Sequence, residues 1–154
     1  MDPVSWIGLS LIFGLTTFSA LLVMSESAAH ELTRTALARL DVTTSATAVR
    51  IRILLDNRFR FWVSARLGTT LLAFGSAALA ATTIGDELEG IVASRAGGVV
   101  LSIAILAVIH AVFALIAPRI LAQRYPEQIA GRFSLLLFGQ YLLFVPATRL
   151  LERM

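Results

Sequence analysis

The chain has 154 residues, of which 57% are hydrophobic and only 15% charged; a soluble domain runs at about 45–50% apolar and about 25% charged. This excludes an ordinary soluble fold and makes the chain an integral membrane protein. The net charge of +3 comes from 13 Arg, with seven between Ser25 and Leu67, five after Ala117 and one between, so it reads as membrane topology bias and not as a nucleic-acid footprint, while the absence of Cys excludes disulfides and thiolate metal sites.

The first predicted element is a span from Trp6 to Met24, uncharged throughout, with Trp6 where an interfacial anchor sits. The opening MDPVSW has no positive segment, so no cleavable signal peptide is expected. Ser10, Gly14 and Thr17 form a small-residue stripe leading to Leu21 and Ser25, a close-packing face that ends on a hydroxyl.

Residues 26–60 change character. HELTRTALARL and ATAVRIRILLDNRFRF are short amphipathic helical patterns separated by Asp41 to Ser45, where several side chains can cap a new helix. They predict a cytoplasmic juxtamembrane hairpin whose Arg face meets anionic lipid head groups.

A second span is expected over residues 61–84, with Arg66 snorkelling towards the inner face. Thr69, Ala73, Ser76, Ala80 and Thr83 make a continuous small stripe, and Gly68 and Gly75 lie on the next row. Residues 85–95 carry three acids against one Arg, which places this loop outside and the Arg-rich hairpin inside.

The third span, residues 96–117, has no charged side chain apart from a usually neutral His. Its run is expected to stop at Pro118, which lacks an N–H and disfavours the helical conformation in Ala117. Gly97, Ala104, Ala107, Ala111 and Ala114 fall on one stripe, a face for a neighbouring helix. Beyond it, Tyr125-Pro126-Glu127 opens a further helix with Pro at a tolerated early position. The apolar part of that helix, Phe133 to Thr148, is only 16 residues and contains Gln140 and Pro146, so residues 126–150 are expected to form a belt helix at the membrane surface or around the bundle. The expected fold is thus a single all-α transmembrane domain over 1–154, in a multi-pass protein of the cell membrane, with three transmembrane helices, a cytoplasmic juxtamembrane hairpin and a C-terminal belt helix.

Read in order, the landmarks resemble a known family, the transmembrane domain shared by the cyclin M and CorC magnesium transporters. They are Ser25-Glu26 followed by Ala28 after the first span, Leu54-Leu55-Asp56 in the hairpin, Gly68 near the start of the second span, Pro118-Arg119 with Leu121-Ala122 after the third, then Tyr125-Pro126-Glu127 and Pro146. The resemblance covers nearly the whole chain and implies three spans, an outside N-terminus, a homodimer or a heterodimer with a related subunit, and Mg²⁺ as the cargo. It further implies an ion site near Ser25, Glu26, Gly68 and Thr69. In the family that site combines a hydroxyl of the Ser-Glu motif, an Asn just after the Gly and a Glu three residues before the Pro. Here Ser25 matches the hydroxyl, Thr69 stands at the Asn position and Leu115 at the Glu position, so Ser25 and Thr69 are the candidate metal ligands of an altered site. Mg²⁺ prefers near-octahedral oxygen coordination, and a missing carboxylate removes a ligand together with the charge that offsets dehydration.

Two titratable residues carry two readings each. His110 is deep in an apolar span, where ionisable side chains are functional candidates; its other reading is a neutral His hydrogen-bonded to a neighbouring helix. Glu26 either faces an ion path or pairs with Arg66 or the hairpin Arg groups. No HExxH, GxSxG or phosphate-loop pattern occurs, so no enzyme activity is expected.

Overall fold

The computed structural model describes residues 3–32, 46–92 and 94–151, and among them every regular element is helical. Helix α1 runs Pro3–Glu31, α2 Ala46–Asp56, α3 Arg58–Thr83, α4 Gly85–Val92 and α5 Arg95–His110. A π-helical turn, Ala111–Ile116, then leads directly into α6, Ala117–Arg124, and α7 follows as Pro126–Leu151. Among the described residues, four stretches are long and apolar enough to cross a membrane by length and composition: Ser5–Glu31, Arg58–Thr83, Arg95–Arg124 and Pro126–Arg149.

The chain forms two compact units, Met1–Ala20 with Thr70–Ala117, and Leu21–Thr69 with Pro118–Met154. In the first, Ile12, Ala80 and Leu106 make a small core with Leu79 and Ile84 packed against it. The buried face of α5 runs through Gly98, Ser102, Leu106 and His110 at steps of four, one stripe of a 3.6-residue repeat. Residues 85–95, expected as a loop, contain the helix α4. Asp86 and Glu87 in its first turn complement the positive end of the helix, and Ser94 then caps α5 by accepting the Gly97 N–H at 3.1 Å. Gly98 makes the tight turn-back feasible. A Cβ there would meet the Gly85 carbonyl oxygen and, at 2.9 and 3.2 Å, the Glu89 N and Cα, all backbone atoms.

In the second unit α2 lies against α7. Ala48, Ile51 and Leu54 are the buried face of α2, and its other side keeps Val49 and Arg52 outward. One cluster joins Ile51 to Ala28, Leu32, Ala122 and Ala130, and a second joins Leu54 to Ala29, Phe61, Leu137 and Tyr141. The second arm of the expected hairpin is therefore a helix with the expected amphipathic face. Its first arm lies mostly outside the described residues, and α1 carries on through Ser25-Glu26 to Glu31 without a break.

One further expectation changes. The chain does not stop its helix at Pro118: Ala117 is right-handed helical (φ −60°, ψ −45°) and α6 continues to Arg124. The wider π-helical turn before it shifts the ladder, so the missing Pro N–H falls where the pattern is already interrupted. The last helix runs 26 residues with Pro146 inside it, close to the expected 126–150, or roughly 39 Å at about 1.5 Å per residue. Length therefore does not distinguish a belt from a fourth crossing.

Candidate functional site

Ser25, Glu26, Gly68 and Thr69 all belong to the second unit. Ser25 is fully buried, and its hydroxyl donates back to its own helix, at 2.7 Å to the Leu21 carbonyl and 3.0 Å to that of Leu22. Thr69 is also buried and does the same towards the Ala65 and Arg66 carbonyls, at 3.0 and 3.2 Å. Such back-bonding uses the one hydroxyl proton and leaves the oxygen lone pairs as acceptors. Both candidate ligands thus present an oxygen with no proton in the way, which is what a hard cation requires.

Gly68 has a different role from a ligand. A Cβ at this position would run into the side-chain amide of Gln140, with Cδ at 3.2 Å and the Phe144 ring at 3.4 Å. The bare backbone admits Gln140, whose Nε2 donates to the carbonyls of Ser64 and Ala65 at 3.3 Å each. The polar residue that interrupts the apolar run of α7 therefore fastens that helix to α3. Sequence reasoning noted Gln140 only as an interruption, because its partners lie 75 and 76 residues away and are backbone atoms.

Glu26 is buried and lines a half-open recess of about 200 Å³, together with Ser27, His30, Trp62, Arg66, Arg119 and Gln123. Glu31 is also on its wall. The Glu26 carboxylate lies 3.9 Å from His30 Nε2, and the positive charges of Arg66 and Arg119 act on it. Arg66 itself sits over the Trp62 ring, 5.8 Å from the centroid. Ser25 and Thr69 are not part of the recess wall, and among the described residues no hydrogen bond joins them to Glu26 or to each other.

In the first unit, His110 is buried and its Nε2 approaches Ser19 Oγ of α1 at 3.5 Å. Leu115 is partly exposed on the π-helical turn. That turn was not foreseen. The Ala117 N–H is bonded to the Val112 carbonyl, five residues back; the next donor in the same register would be Pro118, which has none. The Phe113 carbonyl therefore has no N–H five residues on to accept from. Its sequence signal is a Pro followed by an uninterrupted helical pattern, Arg119 to Arg124.

Among the described residues no three of His, Asp and Glu converge as a metal-holding group. No curated protein matches the chain. A family profile does: the cyclin M transmembrane N-terminal domain matches residues 10–154.

Proposed function

Because the chain belongs to the cyclin M transmembrane-domain family, a family of membrane transporters and not a class of enzymes, we propose that it is a dimeric cation transporter or transporter subunit of the cell membrane with an altered, weak Mg²⁺ site. Membership makes it a multi-pass membrane protein. The observation that supports a cation is the pair of buried hydroxyls in apolar helices, Ser25 and Thr69, whose protons are turned to their own helix carbonyls so that oxygen lone pairs stay available. Weakness follows from Leu115 standing where the family carries a Glu. Hydroxyl and carbonyl oxygens add no negative charge, and Mg²⁺ gives up its water reluctantly.

A liposome flux assay with an Mg²⁺-sensitive dye tests this reading. Slow Mg²⁺ uptake is expected, reduced further in the Ser25→Ala, Thr69→Ala double variant. Leu115→Glu should give Mg²⁺-dependent thermal stabilisation that the unaltered protein lacks, since a ligand bound only by the folded state raises its stability. Tight Mg²⁺ binding by the unaltered protein in calorimetry would contradict the weak site. A second reading, a non-transporting partner subunit that keeps the dimer surface, is favoured by the same two positions, Thr69 and Leu115. It predicts no flux of any cation alone, and flux only when a ligand-complete relative is present.

A further inference from the structure

Three helices place a charge at the border of their uncharged runs: Glu26 is the first after Trp6–Met24 in α1, Arg66 the last before residues 67–85 in α3, and Arg119 the first after residues 96–118 in α6. All three line the one recess. A border where several spans acquire charge together is the edge of the hydrocarbon core, where head groups lie. The recess also holds more charge than it pairs. Glu26 and Glu31 bring two carboxylates and Arg66 and Arg119 two guanidiniums, yet among the described residues neither guanidinium lies within ion-pair distance of a carboxylate; the recess's carboxylate contact is the one from Glu26 to His30.

We infer that this recess binds the head group of a zwitterionic phospholipid bearing a primary ammonium, of the phosphoethanolamine type. Arg66 and Arg119 receive the phosphate, to which planar guanidiniums are matched in geometry, and the Gln123 amide supplies a further donor. Glu26 and Glu31 accept from the ammonium, whose three N–H groups a choline lacks. Trp62, exposed on the wall and stacked under Arg66, is the amphipathic ring that meets the glycerol region. A purely anionic head group satisfies the Arg pair but leaves the buried Glu26 facing a like charge, so the mixed lining selects a mixed ligand. This inference does not rest on transport.

The test is lipid retention and thermal stability of the full chain in detergent, with added short-chain phosphatidylethanolamine, phosphatidylcholine or phosphatidylglycerol. Phosphatidylethanolamine should stabilise most. Arg66→Gln with Arg119→Gln should lower its retention about tenfold or more, the loss expected from one or two charged hydrogen bonds. Glu26→Gln with Glu31→Gln should erase the preference over phosphatidylglycerol while phosphate binding persists. The lipid series on the unaltered protein decides the matter even where a double variant fails to fold. Equal stabilisation by the three lipids overturns the inference, as does full retention in the Arg variant. Soluble phosphoethanolamine acting as well as the lipid at equal concentration overturns the lipid assignment. None of these readouts depends on ion flux, so failure here leaves the transport reading intact.

Discussion

Gly68 and Gln140 show how little separates a ligand motif from a packing motif at the level of single residues. The Gly lies one residue before Thr69 and is legible as part of the family pattern, but its physical use is to leave room for an amide. Gly68→Ala should gain about 1 kcal/mol of helix propensity. It should lose more, because the Gln140 side chain must leave two backbone acceptors at about 0.5–1.5 kcal/mol each and strand a buried amide. A net loss of about 1–2 kcal/mol is expected in thermal unfolding, whereas Gly139→Ala, with no atom near its added Cβ, should be neutral or stabilising. A larger loss at Gly139 than at Gly68 would overturn the assignment. Ser25 and Thr69 were singled out because their neighbours in sequence form a motif, and the structure adds that both are buried and back-bonded to their own helices. The recess was not legible, since it draws its residues from three helices far apart in sequence, and of its lining residues only Glu26 and Arg66 are linked by sequence reasoning.

Among the elements, α2 and α7 were legible from amphipathic patterning and from Tyr125-Pro126-Glu127. Two others were hidden for identifiable reasons. Helix α4 is only Gly85–Val92, too short for periodicity to speak, and it depends on the backbone of α5 coming close at Gly98. Gly98→Ala puts a methyl against backbone that cannot swing aside. A loss of about 1–3 kcal/mol is expected, with faster amide exchange confined first to α4; unchanged protection there would count against this packing. The π-helical turn was hidden because a sequence marks Pro as a stop, whereas the chain absorbs it by changing register. We propose that the small-residue stripe of the third span forms part of the dimer face. Ile105, Ile109 and Ala107 are all exposed in the single chain, so exposure does not choose between faces, and close approach must. Leu at Ala107 and at Ala111 should weaken assembly in cross-linking far more than Ala at Ile105 and Ile109. Equal tolerance at the four positions would remove this face from the interface.

For the molecule as a whole, composition alone dictated helices in a membrane, and the family profile bears out the resemblance across residues 10–154. The span count was not legible: a 16-residue apolar stretch argued for a belt, while α7 reaches 26 residues by recruiting polar ends. We propose three crossings, which put residues 26–66 and the C-terminus together inside, as the Arg distribution favours. Single Cys variants Ser45→Cys, Ala93→Cys and Met154→Cys, probed with an impermeant thiol reagent in intact cells, should label only at 93. Labelling at both 93 and 154 would mean that α7 crosses, and labelling at 154 alone would sink the topology.

The Gln140 fastening also has a consequence in time. Its acceptors on Ser64 and Ala65 are made 76 and 75 residues before it, and at about 5–20 residues per second the ribosome needs roughly 4–15 s to supply the missing amide. Through that interval the Gly68 face of α3 waits in the bilayer unfilled. The second unit is therefore finished only once residue 140 has been made, and a chain released before that point exposes to quality control a groove that Gln140 otherwise fills.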